Sequence, residues 1–308
     1  MGKIAFVFSG QGAQYGGMGK SFYDASEAAK KLFDSCENFR PGTAAQTFSG
    51  SDEELKKTSN TQPCMYLTEL AAAISLTEKG VVPGGCAGFS LGEISALAFG
   101  GAYSYEDGFK IVSKRGELME KASEKFDTAM AAILKLDPET VKSAVSKYEK
   151  LYAVNFNSPA QVVVSGLSES VAAFSEEVKT LGGRAIPLAV SAAFHSPFMA
   201  EAAEGFLSEL KNYDIKTPEI PVYSNVSAKP YGENTDIPEN LARQIQNPVL
   251  WQQTVENMIA DGFTDFIEVG PGKTLCGLIK KISKDVNVYS AETEELVLGI
   301  ASEVGPNA

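Results

Sequence analysis

The hydrophobic and polar positions change period several times along the chain. Residues 4–8 form an unbroken apolar run that ends in Ser9-Gly10-Gln11-Gly12-Ala13-Gln14, the pattern of a buried strand entering a Gly-rich loop. Apolar residues then recur at helical spacing over about 24–39 and about 63–79, with Pro63 suited to the first helical position of the second run. Small and apolar residues fill 86–89, Ser90 follows, and a helix is predicted from about 91–93. Another helix is predicted over about 105–123.

The middle of the chain has a different rhythm. Strand patterns at 129–136, 152–156, 161–165 and 184–190 alternate with helical patterns at 138–148 and 168–181, and Asn157-Ser158-Pro159 makes a turn. The order β-α-β-β-α-β is that of a ferredoxin-like unit. Beyond it come a loop with His195, a helix at about 198–211, a strand at 220–223 and a helix at about 250–261. A strand at 263–269 then runs through Gly270-Pro271-Gly272 into a helix at about 273–283, and 305–308 reads as a frayed end. Alternating strands and helices on both sides of the middle block predict an α/β core with a mostly parallel sheet covered by helices. The expected division is a core from 1–125 and 191–308, interrupted by an inserted α+β unit at 126–190.

Composition narrows the function. Hydrophobic residues make up 44% of the 308 and charged residues 21%, which argues for a globular chain rather than a disordered one. With 39 acidic and 27 basic residues the net charge is −12, a poor match for nucleic acid. The single histidine excludes a His-rich metal site and makes His195 the only imidazole available to any chemistry. Cys36, Cys64, Cys86 and Cys276 are widely separated, so neither a zinc ribbon nor a disulfide framework is indicated, and a reducing compartment fits them. No apolar run approaches the ~18 residues of a membrane span. The start of the chain has no signal-peptide pattern, so the cytoplasm is the expected location.

Three residues stand out chemically. Gly88-Phe89-Ser90-Leu91-Gly92 matches G-x-S-x-G, which places a serine on a tight strand-to-helix turn with free helix N–H groups beside it. An ordinary Gly-Ser turn fits the same letters. A serine nucleophile needs a base, and only His195 is present as an imidazole; a structural histidine capping its loop is the competing explanation. Arg115 falls on the apolar stripe of its helix with Phe109, Val112 and Met119. A guanidinium there needs a partner, either a protein carboxylate or an anionic substrate.

Eight short patterns in order resemble the malonyl-CoA:acyl-carrier-protein transacylases and related polyketide-synthase acyltransferase domains, from about residue 3 to about 290. They are Phe8-Ser9-Gly10-Gln11-Gly12-Ala13-Gln14, Thr61-Gln62-Pro63, Gly88-Phe89-Ser90-Leu91-Gly92-Glu93 and Arg115-Gly116 in the first half. Asn155-Phe156-Asn157-Ser158-Pro159, Phe194-His195, Asn247-Pro248-Val249-Leu250-Trp251 and Glu268-Val269-Gly270-Pro271-Gly272 complete the set. The resemblance implies a hydrolase-like α/β core carrying a ferredoxin-like insertion. It implies that Ser90 is the acylated nucleophile, His195 its base, and Arg115 the grip on the malonyl carboxylate. The N–H groups of Gln11 and Leu91 would form the oxyanion hole, with Gln62, Asn157, Asn155 and Phe194 around the substrate. A main-chain carbonyl, assigned to Leu250, would orient the histidine in place of an Asp.

One position departs from the family pattern: Phe89 stands where the family usually has His. Ala193-Phe194-His195 resembles the malonyl-selective form, in which a bulky Phe leaves little room for an α-methyl group. The resemblance further implies malonyl-CoA as donor, acyl carrier protein as acceptor, no metal or other cofactor, and a monomer. Fatty-acid synthesis is the expected setting, with a polyketide synthase as the alternative. An acidic chain that meets an acidic carrier needs a local basic patch, and Lys280 and Lys281 are the candidates; a solvated helix face explains them equally well. A serine thioesterase is the competing enzyme class. Hydrolases of that fold place an acid and then a late His after the serine, whereas 308 − 195 = 113 residues follow His195 here. A carrier-binding component with a vestigial site is the non-enzymatic alternative.

Overall fold

A computed structural model describes residues 2–190 and 192–305. The expected fraying at 306–308 therefore lies outside the described residues. Among the described residues nine strands follow in chain order: β1 (Lys3–Phe8), β2 (Gly85–Gly88), β3 (Thr128–Leu134), β4 (Leu151–Ser158), β5 (Gln161–Leu167), β6 (Arg184–Pro187), β7 (Val222–Tyr223), β8 (Phe263–Val269) and β9 (Asn287–Ala291). They form two sheets. The first has the order β7-β2-β1-β8-β9 with every pair parallel. The second has the order β4-β5-β3-β6 with every pair antiparallel, which is the ferredoxin-like arrangement.

β1 shows why the first sheet sits in the middle of its unit. Phe6 and Phe8 enter one apolar cluster, while Ala5 and Val7 enter another on the opposite face. A strand buried on both faces needs a continuous apolar run, and 4–8 supplies one. The second sheet packs its own core from Ile133, Val141, Val162, Val164, Phe174 and Val178 under the helices Pro138–Val145 and Ser168–Thr180. The edge strand β4 bonds the backbone of the segment that precedes the helix Trp251–Ala260. Phe156 N–H donates to the Val249 carbonyl at 2.9 Å, and Val249 N–H donates to the Val154 carbonyl at 2.8 Å. Register shifts in β4 on either side of this contact re-aim Asn155 and Asn157.

Several elements differ from the sequence expectation. The helix expected from Pro63 begins at Thr58, so Pro63 lies inside Thr58–Glu78. The carboxylate of Glu120 accepts from Ser59 N–H at 2.7 Å and caps the first turn from a neighbouring helix. Pro63, inside the helix, removes the bond that would close onto the Ser59 carbonyl. The strand expected over 184–190 ends at Pro187, and that over 220–223 begins at Val222. The helices Thr43–Ser49, Asp52–Lys56, Ile237–Gln246 and Glu294–Val304, together with β9, add to the expected set. Among the described residues no helix is long and apolar enough to cross a membrane.

Candidate active site

Ser90 sits at the end of β2, on the turn into the helix Gly92–Phe99. Its φ is +55°, a left-handed conformation that costs a non-glycine residue about 1–3 kcal/mol unless its surroundings enforce it. They do. Ser90 N–H donates to Asn225 Oδ1 at 2.7 Å, and the Ser90 carbonyl accepts from Gln244 Nε2 at 2.8 Å. The turn closes tightly because Gly88 and Gly92 lack side chains. A Cβ on Gly88 would lie 2.0 Å from the Gly92 backbone, and one on Gly92 would lie 2.4 Å from the Phe8 carbonyl.

His195 is also left-handed, with φ +59°. Its N–H donates to the Ile245 carbonyl at 3.1 Å. Nε2 lies 2.8 Å from Ser90 Oγ and Nδ1 lies 2.8 Å from the Gln244 carbonyl, which leaves Nε2 as the acceptor for the serine proton. The orienting carbonyl is therefore that of Gln244, not Leu250. Leu250 O accepts from Thr254 N–H and Thr254 Oγ1, both at 2.9 Å, as the N-cap of the helix Trp251–Ala260. Gln244 O is free for a covalent reason. In a continuing helix it would bond the N–H four residues on, and that residue is Pro248. The C-terminal end of Ile237–Gln246 also presents its negative dipole to the ring, which favours the imidazolium that forms during proton transfer. Burial and the Arg115 charge lower the His195 pKa to about 4, against the opposing pull of the Gln244 and Asn247 carbonyls. The imidazole is thus neutral and ready to accept a proton at ordinary pH.

Arg115 is fully buried. Nη1 donates to Gln62 Oε1 at 2.9 Å; Nη2 donates to Gln244 Oε1 at 2.7 Å and to Ser90 Oγ at 3.1 Å. Nε has no partner. Every hydrogen-bond partner of this cation is neutral, so its charge is not cancelled at first contact. The cavity beside it, about 90 Å³, is lined by Gln11, Gln62, Phe89, Ser90, Leu91, Arg115, Asn155, Phe194 and His195, with Met119, Met130, Leu188 and Val190. The N–H groups of Gln11 and Leu91 have no hydrogen-bond partner among the described residues, and the helix Gly92–Phe99 starts beside them.

Asn157 lies one cavity away, in a space of about 200 Å³ that shares Gln11, Phe89, Asn155 and Leu188 with the first. Phe89 packs edge-on against Trp251, ring centroids 5.6 Å apart. Lys280 and Lys281 are exposed on the helix Thr274–Ile282, outside both cavities. Lys280 Nζ donates to the Val286 carbonyl at 2.6 Å, and Lys281 Nζ reaches Gln161, on the rim of the larger cavity, at 3.5 Å.

The family model for the acyl transferase domain matches residues 5–299. The malonyl CoA-acyl carrier protein transacylase of Bacillus subtilis (strain 168) is 43% identical over the whole of both chains. The chain belongs to the malonyl-CoA:acyl-carrier-protein transacylase family. The transacylase structure from Clostridium perfringens superposes with a TM-score of 0.95 at 39% identity, covering 98% of this chain and 97% of that one. A malonyl-transacylase in complex with a type II polyketide acyl-carrier protein superposes with a TM-score of 0.93 at 34% identity, covering 98% and 99%. The transacylase fold thus carries the α/β core and the antiparallel sheet that the strand order predicted.

Two further residues of this transacylase site escaped the sequence reading. Asn225 holds the nucleophile turn, donating to the Gly88 carbonyl at 2.6 Å as well as accepting from Ser90. Gln244 touches Ser90, His195 and Arg115 at once. The helix that carries Gln244 was legible in principle. Asp236 and Glu239 make a capping pattern, Pro238 sits in the first turn, and Ile237, Leu241 and Ile245 share one face.

Proposed function

We propose that this protein transfers the malonyl group of malonyl-CoA to the phosphopantetheine thiol of acyl carrier protein, supplying extender units for fatty-acid synthesis. The observation that carries the choice of acyl group is Arg115: a buried cation with only neutral partners, 3.1 Å from the serine oxygen. A malonyl carboxylate gives it the anion it lacks. An acetyl group leaves it without one.

His195 Nε2 takes the Ser90 proton as Oγ attacks the thioester carbonyl. The oxyanion forms against the N–H groups of Gln11 and Leu91. Collapse breaks the C–S bond, and the CoA sulfur leaves with the proton from His195. The carrier thiol then gives its proton to His195 and attacks the malonyl ester, and Ser90 leaves with that proton. Thioester and ester exchange without redox change, so no cofactor is required. Ping-pong kinetics follow.

The inserted unit, read as 126–190 against a core of 1–125 and 191–308, brings Asn155 and Leu188 to the cavity. Lys280 and Lys281 serve the acidic carrier, supported by the position of Lys281 at the rim beside Gln161. The protein acts as a monomer in the cytoplasm, and its four free, separate thiols fit a reducing compartment. A polyketide carrier is the second reading, favoured by the structural relative seen with such a carrier. The test mixes protein with malonyl-CoA with and without holo carrier. Malonyl-carrier with little free malonate is expected; rapid free malonate without carrier supports a hydrolase instead.

A further inference from the structure

Glu93 lines neither cavity, yet it bonds the residues that support the nucleophile turn. Its side chain is fully buried in the first turn of the helix Gly92–Phe99. Oε1 accepts from Tyr231 OH at 2.5 Å. Oε2 accepts from Gln244 Nε2 at 2.7 Å and from Asn225 N–H at 3.2 Å. Gln244 and Asn225 are the two residues that hold the Ser90 turn.

Burial pushes the Glu93 pKa up to about 7, but Oε2 already accepts from the Asn225 N–H and stays an acceptor whether or not Oε1 carries a proton, so the end of the Gln244 amide that faces it must be its NH2. That same end donates to the Ser90 carbonyl. The amide oxygen is then left pointing at Arg115 Nη2. Turning the amide over would set its oxygen against the Glu93 carboxylate and the Ser90 carbonyl. It would also set its NH2 against the guanidinium. All three contacts would become repulsive.

The amide is also a spacer. Glu93 and Arg115 are both buried, and direct contact would neutralise the cation within the protein. With Gln244 between them the two groups share no hydrogen bond, and Arg115 meets only neutral partners at first contact.

We propose that Glu93 is a positioning residue that fixes the orientation of the Gln244 amide and, through it, aims Arg115 at the acyl pocket. This rests on the reading of Arg115 as the malonyl grip and deepens it.

The test compares Glu93→Gln with Glu93→Asp. In Glu93→Gln the new amide oxygen can still accept from Gln244 and Asn225. Its NH2 can face Tyr231 OH, whose own proton can turn to Asn240 Oδ1, 3.1 Å away. In Glu93→Asp the charge stays but the carboxylate is withdrawn by one methylene. Ser90 loading is followed by intact mass with malonyl-CoA and acetyl-CoA. Glu93→Gln is expected to keep the malonyl-to-acetyl rate ratio within about threefold, and Glu93→Asp to lower it by about tenfold or more, one buried acceptor having moved out of reach. A purely architectural role would slow both substrates alike. The proposal is overturned if Glu93→Asp keeps the ratio, or if Glu93→Gln loses as much of it as Glu93→Asp. Equal loss of malonyl and acetyl loading in Arg115→Ala would instead overturn the underlying reading of Arg115.

Discussion

Arg115→Ala removes the guanidinium that donates to Ser90 Oγ, Gln62 and Gln244. For malonyl the loss is a charge-assisted, two-pronged contact with the substrate carboxylate. At about 1.5–3 kcal/mol for each such bond, the pair is worth about 3–6 kcal/mol, so loading should slow by at least roughly 100-fold. Acetyl has no carboxylate to lose, and the contact to Ser90 Oγ is lost for both acyl groups, so it cancels in their ratio. The malonyl-to-acetyl ratio should therefore fall by well over tenfold. A second consequence follows from the same charge. Arg115 helps hold the His195 pKa down, so its removal should move the acid limb of the loading profile to higher pH. The assay is rapid-quench intact mass of the Ser90 adduct, with a thermal melt to confirm folding, because Gln62 and Gln244 lose a donor. Equal losses for malonyl and acetyl, with the acid limb unmoved, would show that Arg115 is only structural.

Three other perturbations probe the site from different sides. Gly88→Ala should cost more than about 3 kcal/mol, because its Cβ would overlap the Gly92 backbone, whereas Gly277→Ala, with nothing within 4 Å, should stabilise by about 0.5–1 kcal/mol. Denaturant melts of both check this, and a neutral Gly88→Ala would contradict the tight turn. His195 is neutral in the fold down to about 4 but protonates near its ordinary value of 6.5 when unfolded. Between those values the unfolded state binds the extra proton, so stability falls as pH drops through that window, by roughly 3 kcal/mol in all. His195→Gln should remove this part of the slope, and an unchanged slope in paired melts would refute it. Lys280→Glu with Lys281→Glu should slow transfer to carrier and reduce its salt sensitivity while leaving loading from malonyl-CoA intact; unchanged transfer dismisses the patch.

The nucleophile turn was legible because its requirements are local: two glycines, a serine, and the start of a helix within five residues. The βαββαβ order was legible for the same reason, since each strand and helix of that unit carries its own period. What escaped depends on contacts between distant segments. Thr58 starts a helix because Glu120, on another helix, caps it. Gln244 faces three catalytic partners only because the chain between 195 and 245 folds back onto β2. The histidine-orienting carbonyl, that of Gln244, lies six residues before the Leu250 that the resemblance implies. That assignment rested on resemblance, although Pro248 marks Gln244 as the residue whose carbonyl a helix cannot use. Asn225 lies in a turn after the two-residue strand β7 and carries no sequence signal for its role.

The central claim is that Ser90, activated by His195, takes the acyl group as an ester. Incubation with malonyl-CoA followed by intact-mass and peptide mapping tests it most directly. One malonyl group on the peptide containing Ser90 is expected, removed when holo carrier is added and absent in Ser90→Ala. An adduct that persists in Ser90→Ala, or none on the unaltered protein, would contradict it.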